Sequence, residues 1–205
     1  MERFRSTFNT LVFALCSFCI LVFWVVQSAK ATQRTRESGL VFSRLNDPNT
    51  SAEATQEIIA DEDPSARKYV SERLPDMIDT LPENLVWRNS VKLAGQLKAA
   101  NAVVALARVL PHSESDVGIQ SFSFAWIISR DPVGKALCEI GDPAVSAMAE
   151  LLNHGDMSAR WRALRVLWNL NSPAARKVME AYLHNGDDPK IQSAIETLTK
   201  TKPLR

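Results

Sequence analysis

Three histidines, three cysteines and a run of carboxylates are the side chains of this sequence with the reach to do chemistry. His112, His154 and His184, with Asp156 and Asp187 nearby, carry the donor types that zinc takes. Each histidine falls just after a helix-closing leucine, in equivalent turns. Stacked helical units hold such turns roughly 10 Å apart, whereas zinc draws its ligands to about 2 Å from one centre. A histidine there suits the carbonyl end of a helix instead. Cys16-Ser17-Phe18-Cys19 spells C-x-x-C, yet Leu15, Phe18, Ile20 and Leu21 place it inside an apolar run rather than a redox turn. That leaves Cys138 as the one thiol of the folded body, so no disulfide framework can form. Asp61-Glu62-Asp63 offers paired carboxylates, but it precedes Pro64 at a helix start, where negative charge is stabilised. Trp87, Trp126, Trp161 and Trp168 have leucine neighbours at helical spacing, which makes them core residues before it makes them a stacking platform. Asn49-Thr50-Ser51 matches a glycosylation acceptor. No zinc-protease, nucleophile-elbow, dinucleotide or Walker motif occurs. The expectation is a chain with no catalytic residues, no metal, no cofactor and no small-molecule substrate.

The elements that carry these residues come from a chain of 205 residues, 46% apolar and 23% charged, with 24 Lys+Arg against 23 Asp+Glu. One folded domain with an appendage fits that length. A net charge of +1 removes the simplest argument for nucleic acid, which is bound through a basic excess. The appendage is the amino terminus. Arg3 and Arg5 lead into the sixteen-residue apolar run Leu11–Val26, which can be counted from Phe8. Its length lies between a signal-peptide core and a spanning helix. Ala29-Lys30-Ala31 supplies a small-x-small cleavage pattern, while Trp24 suits an interfacial anchor. Arg3 and Arg5 favour an inside amino terminus, and Lys30, Arg34 and Arg36 pull the other way. Residues 1–31 therefore read as a signal peptide or a signal anchor, touching the membrane through residues 8–26 if uncleaved. Residues 32–52 read as a polar linker, and the body, residues 53–205, is expected on the extracytoplasmic side, anchored or exported.

Within the body no stretch alternates with the period of a strand, and the helix starts share one signature. Asp63-Pro64, Asp131-Pro132, Asp142-Pro143 and Asp188-Pro189 recur, with Ser172-Pro173 as a variant. The side chain caps free amides, and proline at the first helical position gives up a donor that had no partner. Ala136 to Ala144 followed by a helix ending at Leu151-Leu152 returns thirty residues on, as Leu164 to Ala174 followed by a helix closing at Tyr182-Leu183. An earlier copy runs from Trp87 to Leu110, which makes 113–130 an insertion with Phe122, Phe124 and Trp126. Two short helices repeating at this period predict an all-α α-α solenoid, because one pair cannot bury its apolar face alone.

Ile140-Gly141-Asp142-Pro143-Ala144-Val145, Leu151-Leu152, Gly155-Asp156 and Arg160-Trp161-Arg162-Ala163-Leu164 resemble the short HEAT-like repeats of bacteria, the kind named after phycobilisome lyases. The resemblance covers 84–200 and is clearest over 131–184. It implies an interaction scaffold that binds another protein. Bilin-lyase or cofactor-chaperone chemistry is the enzyme alternative that the family name carries, and HEAT-like DNA-repair proteins supply a nucleic-acid alternative.

On a helical projection of the second helix of the clearest repeat, Ala163, Leu164, Leu167, Trp168 and Leu170 share an apolar sector, and Arg162, Arg165 and Asn169 fill the narrow remainder. Shifting by the repeat offsets aligns Lys135 and Lys92 with Arg165. Residues 84–177 hold eleven Lys+Arg against seven Asp+Glu, whereas 37–83 hold four against eleven. Lys92, Lys135, Arg162 and Arg165 are thus expected on one solvated face, placed to receive an acidic segment of a partner protein.

Overall fold

A computed structural model describes residues 28, 39–41, 43–47, 49–80, 84–112 and 131–201. The apolar run Leu11–Val26 with Cys16 and Cys19, most of the expected linker, and the 113–130 insertion with Phe122, Phe124 and Trp126 lie outside them. Among the described residues there is no strand. Among the described residues, besides helical residues at 39–41 and 43–45, ten helices have defined bounds: α1 (Ser51–Ala60), α2 (Pro64–Ser71), α3 (Leu74–Thr80), α4 (Leu85–Gln96), α5 (Val103–Val109), α6 (Pro132–Ile140), α7 (Val145–His154), α8 (Met157–Leu170), α9 (Pro173–Asn185) and α10 (Pro189–Thr201).

Capping fixes most of the starts. Asp63 accepts from the Ser65 amide at 2.9 Å, Asp131 from Gly134 at 3.0 Å, Ser172 from Ala175 at 3.2 Å and Asp188 from Ile191 at 3.3 Å. Asp142-Pro143 departs from the pattern, because it opens the 3-10 turn Asp142–Ala144 and α7 begins only at Val145. Gly141 enters that turn at φ 90°, a conformation that costs glycine least. Two caps lack a proline flag: Asn84 accepts from Trp87 at 3.0 Å, and Asp156 from Ala159 at 2.8 Å. α8 ends on Asn171, which closes the helix in the left-handed conformation.

Successive helices alternate between two layers. α1 packs on α4, α4 on α6 and α6 on α8, while α3 packs on α5, α5 on α7 and α7 on α9. The layers are joined by α3 with α4, α5 with α6, α7 with α8 and α8 with α9. α10 follows against α9. One apolar core runs the whole length, from Leu45 through Ile78, Leu93, Leu137 and Leu164 to Ile195. Trp87, 2% exposed, sits in it and donates its indole N–H to the Ile78 carbonyl at 3.1 Å.

The body starts upstream of the expected boundary at residue 53. Leu45 is fully buried, Arg44 pairs with Glu57 at 2.7 Å, and the Thr50 hydroxyl donates to the Arg44 carbonyl. A short polar stretch hides its one apolar anchor from a composition reading.

α4 and α6 make the closest approach in the first layer. Gly95 faces Ala136 and Glu139, and a Cβ built on Gly95 would stand 2.9 Å from the Ala136 Cα. Contact along the first layer is denser than along the second. Gly95→Ala trades a gain in helix propensity of about 1 kcal/mol against overpacking of about 1–3 kcal/mol. Backbone atoms cannot yield as a flexible side chain can, so the clash wins. Urea denaturation followed by helical circular dichroism is expected to show a lower midpoint for Gly95→Ala than for wild type.

Candidate functional site

The side chains singled out by charge and spacing all lie on the first layer. Gly95 beside Ala136 and Glu139 sets α4 against α6, and the Cys138 thiol 3.8 Å from the Val166 carbonyl sets α6 against α8. Lys92 lies on α4, Lys135 on α6 and Arg165 on α8. Their environments differ. Lys92 and Lys135 are exposed, and the Lys135 ammonium lies 3.8 Å from Glu139 one turn on.

Arg162 and Arg165 do not form the solvated strip that the projection gives. Arg162 is half-buried, with Nη1 3.5 Å from Oδ2 of Asp131, and Arg165 is only 5% exposed. The reason is the neighbour. α8 is covered by α6, α7 and α9, so the sector left over by its own apolar residues is occupied as well. Asp131, itself 3% exposed, serves both sides of that contact. Its Oδ1 accepts from the Val133 and Gly134 amides at 3.1 and 3.0 Å, and its Oδ2 faces Arg162. One carboxylate therefore caps α6 and ties it to α8. Burial pulls the Arg165 pKa below its ordinary value, the like charge of Arg162 adds to this, and Asp131 opposes it. Burial first, then Asp131 and Glu139, pushes the Cys138 thiol up to about 12, so at neutral pH it is an inert thiol.

On the second layer, α5 and α7 diverge around a groove of about 540 Å³ lined by Val103, Val104, Ala107, Arg108, Ala147 and Leu151. Val104 is 65% exposed. The Val-Ala run 103–107 carried the only sequence signal for it, apolar residues on more than one side of a short helix.

The histidines are apart and exposed. His112 closes the 3-10 turn Leu110–His112, His154 is the last residue of α7 with Glu150 at 3.5 Å, and His184 lies in the last turn of α9. Among the described residues no three potential metal ligands converge. Asp61 and Asp63 organise the start of α2, where Asp61 accepts from the Asp63 amide. Trp161 and Trp168 are both half-buried against the core.

Asp156 and Asp187 have structural partners. Asp156 caps α8, and Asp187 receives the Arg160 guanidinium at 2.6 and 3.2 Å. Arg160 also donates to the Gly155 and Asn153 carbonyls and to the Tyr182 hydroxyl, tying the turn before α8 to the turn after α9. The pairing is twenty-seven residues long, and local spacing gives no hint of it.

Residues 130–199 match the protein-family model described as HEAT repeats. This stretch is HEAT-like. It spans α6 to α10, and α4 with α5 add a unit of the same two-layer form upstream. Repeats of this kind generally serve as protein-interaction scaffolds. A comparison with curated proteins finds no match to the chain.

The Arg160 clamp of the HEAT-like segment has a pH signature. The hydrogen bond from Arg160 is the largest of the influences that hold the Asp187 carboxyl below its ordinary 3.8. A depressed carboxyl stabilises the fold above its unfolded-state value, and this contribution is lost as pH falls through the folded value. Wild type is therefore expected to be more stable than Asp187→Asn at neutral pH, with the gap between their urea midpoints closing below pH 3.8.

Proposed function

We propose that this chain is a non-enzymatic scaffold that binds another protein through the first-layer face of its HEAT-like stack, using Lys92 and Lys135 to steer an acidic segment of that partner. The observation that carries the reading is that two exposed ammonium groups, Lys92 and Lys135, stand on the packed neighbours α4 and α6. Exposed charges add little to stability, and their strength lies in guiding encounter.

The scaffold works at or beyond a membrane, held there by residues 8–26 or delivered by them as an export signal. The basic lead and the apolar run Leu11–Val26 support this. Among the described residues no helix is long and apolar enough to cross a membrane, so the tether, where retained, is this amino-terminal run.

The test is crosslinking in intact membranes, wild type against Lys92→Glu/Lys135→Glu, with thermal melting as the control for folding. Exposed substitutions shift stability by less than about 0.5 kcal/mol each. Loss of a crosslinked protein from the double variant, with melting unchanged, is expected. Identical crosslinked proteins from both would contradict the reading.

A further inference from the structure

α9 ends on a dipeptide with chemistry of its own. Asn185, its last residue, is the one asparagine of the sequence that a glycine follows. Asparagine is chemically labile, because the backbone nitrogen after it can attack its side-chain carboxamide. Glycine presents that nitrogen with no Cβ in the way. The Asn185 side chain is exposed, so water and hydroxide reach it.

Packing dictates the glycine. Gly186 has an extended backbone, φ −68° and ψ 151°, which any residue can adopt, so the reason for it is space. A Cβ there would overlap the edge of the Tyr182 ring and the Tyr182 carbonyl oxygen. The ring has no room to retreat. Tyr182 is 3% exposed, and its hydroxyl donates to Asp187 at 3.2 Å and accepts from Arg160 at 3.3 Å.

The same contacts hold the reaction back. The Gly186 N–H donates to the Tyr182 carbonyl at 2.7 Å, and the Gln192 side chain donates to the Gly186 and Leu183 carbonyls at 3.0 and 3.2 Å. While this turn is closed, the Gly186 nitrogen is committed to the helix and points along its axis, away from the Asn185 carboxamide. Attack requires the turn to open, and local opening of a helix end takes far less free energy than global unfolding.

We infer that Asn185 is a modification site of the folded protein, converted by solvent water to aspartate and isoaspartate, and that the clamp of Arg160, Asp187 and Tyr182 sets the rate by holding the last turn of α9 shut. Hydroxide takes the Gly186 amide proton, and the nitrogen forms a bond to Cγ of Asn185. The bond from Cγ to the side-chain nitrogen breaks and ammonia leaves, which closes a five-membered imide. Water then opens the imide: attack at Cγ gives aspartate, and attack at the backbone carbonyl gives isoaspartate. Both products place a negative charge at the carbonyl end of α9, where the helix dipole disfavours it. Isoaspartate also lengthens the backbone by one carbon and moves Gly186 off the Tyr182 ring. The change is one-way and loosens the junction between α9 and α10. It goes beyond the scaffold reading and does not depend on it.

The experiment incubates the full chain in detergent micelles at mildly alkaline pH and follows each asparagine by peptide mapping and mass spectrometry, which reads the exchange of ammonia for water and separates isoaspartyl from aspartyl peptides. Chain unfolded in urea, incubated until Asn185 is fully converted, sets the duration. In the folded wild type, conversion at Asn185 is expected to outrun that at Asn153 and Asn171, which His154 and Ser172 follow. Asp187→Ala and Tyr182→Phe each weaken the clamp and leave Gly186 in place, and each is expected to speed conversion at Asn185 roughly threefold, the scale of one exposed polar contact, with Asn153 and Asn171 unchanged. Asn185→Gln is expected to melt as wild type does and to show no conversion at this position. Intact Asn185 in the folded wild type would overturn the site. Equal rates at Asn185 in wild type and both clamp variants would overturn the lock, and so would a rise at all three asparagines together, since general loosening would then set the rate.

Discussion

The helices inside this stack have apolar side chains on more sides than a single partner can cover, and the rest of the structure follows from that. α8 shows it most plainly, with Ala163, Leu164, Val166 and Leu167 all buried and α6, α7 and α9 packed around it. Burying one leucine contributes about 1.5–3 kcal/mol, a cap about 1 kcal/mol and an exposed ion pair between nothing and about 1 kcal/mol. Repeated apolar contact between neighbours therefore outweighs the polar features. Caps and the Arg160 clamp decide where helices start and how turns align, not whether the stack forms.

This dominance of apolar contact also shapes the face assigned to binding. A first layer drawn close by Gly95 against Ala136 leaves little room between helices, so charges on it are either at the rim, as Lys92 and Lys135 are, or sunk, as Arg162 and Arg165 are. The second layer, less densely in contact, opens into the groove between α5 and α7. The two-layer stack thus carries exposed lysines on its first layer and an apolar-lined groove on its second, from one sequence pattern repeated.

The pattern was legible where it is local. Asp-Pro and Ser-Pro starts, closing leucines and the offset between copies place α2, α4, α6, α8, α9 and α10 from residues alone. What was not legible depends on partners far along the chain. A helical projection of α8 knows its own apolar residues but not that α6 fills the sector beside them, so Arg165 reads as solvated when it is buried. Asp131 reads as a cap and is also the partner of Arg162, and Arg160 meets Asp187 across a whole helix. Leu45 is buried from within a polar stretch that composition assigns to a linker. Asp142-Pro143 shows the reverse limit, since a good start signal can be spent on a 3-10 turn when the preceding Gly141 takes a left-handed backbone.

Stacking of neighbours as the source of stability is tested most directly by a chain that ends at Leu170, without α9 and α10. Such a chain keeps every helix and cap before the cut, and it uncovers the sides of α7 and α8 that α9 protects. In a stack whose stability is close to a sum of unit and neighbour terms, removing an end unit lowers the whole. Urea denaturation read by helical circular dichroism is expected to show a midpoint far below that of the full chain, with a loss of helical signal larger than the removed residues account for. An unchanged midpoint, with signal lost only in proportion to length, would contradict the account.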